Sequence, residues 1–170
     1  MPEIVTIRVA TQEDLPALHP VIERAYRGET ARQGWTHEAD LLEGQRTDLE
    51  TLKAIAADPA QCLLLAERDG AVIGCVNLTD KGDGLAYLGL LCVDPTLQTG
   101  GTGKQLLAAA EACAREELSA DRIEMTVIDV RPRLIAWYER RGYVQTGERR
   151  DFVFPVDPPL FMTVLVKSLA

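Results

Sequence analysis

The stretch Leu90–Leu107, LLCVDPTLQTGGTGKQLL, constrains this chain more than any other. Leu88, Leu90, Leu91, Cys92 and Val93 make an apolar run that Asp94-Pro95 must end, because proline cannot donate to a sheet ladder and keeps its predecessor out of helix. A strand therefore stops at Asp94. Gln98, Gly100, Gly101 and Gly103 follow, and then Leu106, Leu107, Ala110, Cys113 and Ala114 recur on one helical face. The glycines thus open a helix, where unpaired backbone N–H groups meet the positive end of the helix dipole and missing Cβ atoms let a phosphate come close. The physical reading is a pyrophosphate cradle.

Spacing separates the phosphate loops that compete for this stretch. A Walker A loop would need glycine where Gln98 stands and Ser or Thr where Gln105 stands. A dinucleotide fingerprint beginning at Gly101 would need its third glycine at Leu106, and no ribose-binding acid follows in a βαβ unit. What remains is Gln98-Thr99-Gly100-Gly101-Thr102-Gly103, set after a strand that ends Val93-Asp94-Pro95. This pattern resembles the acetyl-CoA loop of the GNAT superfamily of acyl-CoA-dependent N-acyltransferases. The residues alone would also suit a glycine-rich turn that holds no ligand.

At 170 residues the chain is long enough for one domain with a core that needs no staples. Its net charge of −8 argues against a nucleic-acid partner, which demands a basic face, yet leaves room for an anionic cofactor on a local basic rim. A cationic acceptor is mildly favoured. Cys62, Cys75, Cys92 and Cys113 each lie in an apolar stretch without zinc or disulfide spacing, which predicts free thiols in a reducing cytoplasm. MPEIVTIRVA lacks a basic region followed by an apolar h-region, and no apolar run reaches the ~18 residues of a membrane helix, so neither a signal peptide nor a membrane span is expected.

Along the chain, alternation predicts a strand over Ile4–Val9, and Thr11 or Asp14 can cap a helix carrying Leu15, Leu18, Val21, Ile22 and Ala25, kinked at His19-Pro20. Tyr26–Asp48 is irregular, with a short helix expected near Glu38–Glu43, and Leu49–Ala57 is helical up to Asp58-Pro59. Strands follow at Cys62–Glu67, Val72–Leu78 and Leu85–Val93, joined by turns at Arg68–Ala71 and Asp80–Gly84. A helix over Thr102–Leu118, a strand over Arg122–Ile128, a helix over Pro132–Arg141 and strands near Tyr143–Phe154 and Phe161–Lys167 complete the order. That order belongs to an α/β (α+β) domain with a mixed sheet, and it resembles the GNAT order throughout, implying a mostly antiparallel sheet of about seven strands flanked by about four helices. A single domain over 1–170 is expected.

Ala136–Tyr143, AWYERRGY, matches a second GNAT signature, a Tyr-Glu-x-x-Gly-aromatic at the end of a helix. Gly142 suits the left-handed residue that stops a helix, and Tyr143 returns the chain to the core. The residues alone would equally make Tyr138 a packing aromatic. The resemblance places its hydroxyl near the sulfur of acetyl-CoA. Attack of a neutral amine on a thioester needs an oxyanion donor, a base and an acid for the departing thiolate. With an ordinary pKa of about 10, Tyr138 could be that acid.

The resemblance further implies that the strand before the glycine loop splays at a bulge, so that the main chain of Leu91, Cys92 and Val93 holds the pantetheine arm. Gln98, Thr99, Gly100, Gly101, Thr102, Gly103 and Lys104 would hold the pyrophosphate, with Arg131 and Arg133 on the basic rim. Two residues depart from the family pattern: Gly89 stands where many relatives carry a glutamate base, and Arg131 where many carry an asparagine. Glu29, His37, Glu38 and Asp151 are base candidates by type, while Arg140 and Arg141 read as solvated charges at a helix end. Glu29, Trp35, Arg46 and Asp48, in the irregular segment, are the candidate acceptor-binding residues.

These readings converge on a cytoplasmic N-acetyltransferase. It would pass the acetyl group of acetyl-CoA to a small amine or peptide acceptor, with no metal, nucleic acid or membrane involved and with a homodimer allowed. The rival reading is a non-catalytic acyl-CoA-binding sensor or scaffold of the same fold, prompted by Gly89.

Overall fold

The computed structural model describes residues 5–26, 48–95, 101–152 and 159–169. Strand β1 (Val5–Val9) leads through a 3-10 turn (Gln12–Asp14) into helix α1 (Leu15–Tyr26), and α2 is Leu49–Ala57. Then come β2 (Gln61–Arg68), β3 (Ala71–Gly82), β4 (Leu85–Val93), α3 (Thr102–Glu116), β5 (Arg122–Ile128), α4 (Pro132–Glu139), β6 (Val144–Asp151) and β7 (Phe161–Ser168). The seven strands form one sheet in the order β1-β2-β3-β4-β5-β7-β6. Every neighbouring pair is antiparallel except β4 with β5. The expected fold class and element order hold; the helix expected near Glu38–Glu43 lies outside the described residues.

Local chemistry accounts for most element ends. Thr11 donates its N–H and hydroxyl to the Asp14 carboxylate, and Arg8 grips the same carboxylate with two guanidinium nitrogens at 2.8 Å, tying β1 to the start of α1. Helix α1 runs unbroken through Pro20, so the expected kink does not interrupt it. Asp48 caps α2 by accepting from the Thr51 N–H. Strand β3 runs further than Leu78, to Gly82, because Thr79 and Asp80 still pair with Tyr87 and Ala86. The turn expected at Asp80–Gly84 thereby narrows to Asp83-Gly84, two positive-φ residues that suit the twist of a tight hairpin.

The sheet divides the hydrophobic core in two. One side holds Leu106, Leu107, Ala110 and Ala114 of α3 and Ile135 and Tyr138 of α4; the other holds Leu15, Leu18 and Ile22 of α1 with Leu52 of α2. Strand β4 belongs to both, and it changes sides midway. Ala86 and Leu88 face the α3 side, but Leu90 and Cys92 face α1 and α2. The cause is a bulge: Asn77 pairs with Gly89 and Cys75 with Cys92, so Leu90 and Leu91 together oppose Val76. Leu90 takes φ +54°, a conformation that costs a side-chain-bearing residue about 1 kcal/mol. Burial of its side chain among α1 and α2, and a bond from the Cys75 thiol to its carbonyl at 3.2 Å, hold it there.

The bulge coincides with an opening in the sheet. Parallel pairing joins Leu85–Tyr87 to Arg122–Glu124 and goes no further. Past that point β4 stays with β3 while β5 stays with β7, leaving a wedge between the two strands. All four cysteines are free thiols, and Cys75, Cys92 and Cys113 are buried, as expected.

Candidate active site

Three elements meet at the mouth of the wedge: the end of β4, the start of α3 and the last turn of α4. Gly101 is the N-cap of α3 with φ +78°, a backbone conformation that glycine adopts without strain. The first bond of the helix ladder runs from the Gln105 N–H to the Gly101 carbonyl at 3.2 Å. The amides of Thr102, Gly103 and Lys104 therefore lie ahead of the ladder, and the first turn carries no acidic residue to oppose an anion. Lys104 is exposed and adds a positive charge beside them. Such an N-terminus can take a phosphate, and Gln98, Thr99 and Gly100 lie outside the described residues.

Helix α4 docks on this N-terminus through Trp137. A Cβ on Gly103 would stand 3.6 Å from the Trp137 ring and 3.9 Å from Val93, so strand end, helix start and indole pack without a gap. The Arg141 guanidinium stacks on the outer face of the same ring at 4.3 Å and donates to the Trp137 carbonyl at 3.0 Å. The reading of Arg141 as a solvated charge is thereby corrected: it caps α4 and covers the indole, whereas Arg140 is exposed. Sequence reasoning gave Trp137 no role and missed its stacking with Arg141. The available signal was an arginine one turn after a tryptophan, a spacing that stacks the two on a helix.

Next to Trp137, Tyr138 is 6% exposed and lies in the α3-side core. Its ring meets Trp137 edge-on at 5.0 Å and Tyr143 at 5.8 Å. Burial pushes its pKa well above the ordinary tyrosine value, while the nearby Arg131 charge pulls the other way and loses. The phenol is therefore a proton-bearing group at every physiological pH. Arg131 sits at the N-cap of α4, close enough for that influence. Tyr143 is buried, as expected, and donates to Glu111 of α3 at 2.9 Å, fixing the end of α4.

Val93, Gly103 and Trp137 thus meet where β4 ends and α3 begins, with Thr102 and Lys104 in the same first turn of α3 and Gly101 as its N-cap, and Tyr138 lies buried beside Trp137 within the influence of the Arg131 charge. Cys92 projects to the opposite face. Asp48 has its carboxylate engaged in capping α2, and Asp151 ends the fully exposed strand β6. Glu29, Trp35, Arg46, His37 and Glu38 lie outside the described residues. Among the described residues no group of His, Cys, Asp or Glu is placed to hold a metal, and no helix is long and apolar enough to cross a membrane.

The model of the Acetyltransferase (GNAT) family matches residues 21–143. S-(2-succino)cysteine N-acetyltransferase from Bacillus subtilis (strain 168) is 32% identical over 90 residues, which cover 49% of this chain and 54% of that protein. The chain spans about half the length of that curated relative. The ribosomal-protein-S18-alanine N-acetyltransferase from Escherichia coli has the same fold, with TM-score 0.76 and 16% identity over 98% of this chain and 95% of that one. The structure of yncA from Salmonella typhimurium with its cofactor acetyl-CoA matches at TM-score 0.75 and 19% identity, over 98% and 95% of the two chains.

Proposed function

Since this chain belongs to the GNAT acetyltransferase family, we propose that it is an acyl-CoA-dependent N-acyltransferase that passes the acetyl group of acetyl-CoA directly to the primary amine of a small amino-acid-type acceptor. The observation that supports the reading is three neighbouring features: a strand bulged beside an opening in the sheet, a helix N-terminus free of carboxylates, and a buried neutral phenol next in sequence to the Trp137 that packs on that N-terminus. The amides of Gly101 to Lys104, with Gln98 to Gly100 ahead of them, take the pyrophosphate. The main chain of Leu91, Cys92 and Val93 lines the pantetheine arm and donates to the thioester oxygen, and Arg131 contributes to the basic rim. The amine attacks the thioester carbon, the C–S bond breaks, and Tyr138 gives its proton to the departing sulfur. The proton that the amine sheds returns to the phenol through solvent. The domain, residues 1–170, works in the cytoplasm, and Glu29, Trp35, Arg46 and Asp48 border the acceptor.

The acceptor class is supported by the activity for which the Bacillus subtilis relative is named, acetylation of a cysteine conjugate. The test is release of CoA thiol from acetyl-CoA in the presence of S-(2-succino)cysteine, free amino acids, polyamines and short peptides, with the acetylated product identified by mass spectrometry. Turnover on an amino-acid-type amine is expected. Acetyl-CoA binding without thiol release from any amine would instead support the non-catalytic sensor or scaffold, the second reading favoured by Gly89 in place of a carboxylate.

A further inference from the structure

The face of the sheet that carries α1 and α2 holds a buried hydrogen-bond acceptor beside the wedge, and its direction is dictated by chemistry. Asp58, at the end of α2, is kept ionised by bonds from the Gln61 side chain and the Ala60 N–H, which hold its pKa below the usual carboxylate value. An ionised carboxylate only accepts, so the group that Gln61 points at Asp58 Oδ2, at 3.0 Å, must be its Nε2. Gln61 Oε1 therefore faces Asn77, and the nitrogen of Asn77 must face it, at 2.8 Å. This chain of bonds removes the ambiguity of the two amide flips. Asn77 Oδ1 is left over: it is buried, has no hydrogen-bond partner among the described residues, and belongs to a residue 7% exposed. Native interiors rarely leave such an oxygen without a donor.

Its position is at the start of the β4 bulge. Asn77 is the direct cross-strand partner of Gly89, and Leu90, the next residue, begins the bulge. Facing residues of an antiparallel pair project from the same face with Cβ atoms ~5 Å apart. Gly89 has no side chain to fill that place. Among the described residues, a Cβ there would meet only Tyr87 Cε1, at 3.7 Å. The far side is closed by Tyr87, whose hydroxyl shares a hydrogen bond with Thr126 Oγ1 of β5 at 2.7 Å. Gly89 thus leaves open space on this face of β4 next to Tyr87, a niche that has Asn77 across the strand pair on β3 and is tied to β5 through the Tyr87–Thr126 hydrogen bond.

We propose that Asn77 Oδ1 receives one N–H of the acceptor's nucleophilic amine in the Gly89 niche and so positions its lone pair toward the thioester. The inference rests on the acyltransfer reading above and adds a selection rule to it. A primary amine has two N–H bonds: one is held by Asn77 while the other proton is lost on amide formation. A secondary amine has one, which the reaction removes, and its extra substituent must also enter the niche. Asn77 therefore favours unhindered primary amines over their N-methyl counterparts.

The test uses the full chain and S-(2-succino)cysteine as acceptor, or the first primary amine in the thiol-release panel that turns over, each compared with its N-methyl analogue. Asn77→Leu keeps the side chain's shape and removes the oxygen; it should raise the KM for the primary amine or lower kcat/KM by about 10–100-fold. The acetyl-CoA Kd should change less than about twofold, and the preference for primary over N-methyl amine should collapse. Gly89→Ala, whose methyl meets only an ordinary contact with Tyr87, keeps the fold and should produce the same loss of amine affinity with the same CoA Kd. Unchanged amine kinetics and unchanged primary-amine preference in both variants, with wild-type turnover intact, overturn the role of Asn77 and leave the acyltransfer reading standing. A wild-type protein that acetylates no amine overturns both.

Discussion

Tyr138 illustrates how its surroundings set the protonation state of one side chain. Phenol in water is a weak acid; inside the α3-side core, packed edge-on between Trp137 and Tyr143, its anion loses hydration and its pKa rises. The neutral form then persists through the working range, so the proton is on the phenol whenever a thiolate forms, while burial also makes it a weaker acid than phenol in water. Tyr138→Phe should lower kcat by about 100-fold while leaving the acetyl-CoA Kd within twofold, measured by thiol release and calorimetry. Equal turnover of the two proteins would remove the phenol from the mechanism. Because the pKa is raised, the proton-bearing form is lost only at high pH, so no alkaline fall in rate from Tyr138 should appear below about pH 10. The type and motif spacing of this residue were legible in the sequence. Its burial was not, because that depends on α4 lying against α3.

At the level of elements, the decisive features are the start of α3 and the bulge in β4. Gly101→Asp places a carboxylate on the residue that opens the helix, against the amides a diphosphate must reach, and imposes a side chain at φ +78°. Acetyl-CoA affinity should fall by at least about 100-fold, measured by calorimetry; an unchanged Kd would refute the cradle. The link between β1 and α1 gives a separate, pH-dependent prediction. Asp14 is held far below the usual carboxylate pKa, first by Arg8 and then by the Thr11 N–H. A depressed folded-state pKa stabilises above the unfolded value of about 4 and is lost as pH falls toward the folded one. Asp14→Asn should therefore lower Tm by a few degrees at pH 7, and the gap to wild type should close as pH falls below about 4. A gap that stays constant from pH 7 to pH 2 would contradict the link. Glycine spacing and the Asp94-Pro95 stop were enough to announce α3 and the end of β4. The bulge had no signal of its own in the residues, since LGLLCV fits a straight strand equally well; it was expected through family resemblance, and β4 has it at Leu90-Leu91.

For the molecule as a whole, a ligand entering the opening between β4 and β5 would touch both halves of the sheet. Binding to the folded state alone stabilises by about 2.7 kcal/mol at a hundredfold excess over Kd. For a chain of this size that corresponds to a rise in Tm of roughly 5–10 °C. Acetyl-CoA should produce it in a thermal-shift experiment and ATP should not; the reverse result would return the glycine loop to the nucleotide-binding proteins. The net charge of −8 does not oppose CoA, since the first turn of α3 is free of carboxylates and Lys104 stands beside it.

Local rules determined a great deal from the sequence alone. Proline stops, glycine turns, apolar periodicity and two spaced motifs yielded the order of elements, the glycine loop and the tyrosine, because each depends on residues only a few positions apart. Other features came from tertiary structure. The change of side along β4, the stacking of Arg141 and Trp137 over Gly103, and the unpaired oxygen of Asn77 opposite Gly89 all arise between segments distant in the chain. Asn77 shows the difference most clearly. In the run Val72–Leu78 it is simply a polar residue in an apolar strand, and only the neighbours supplied by β2, β4 and the end of α2 decide which of its two polar atoms is satisfied.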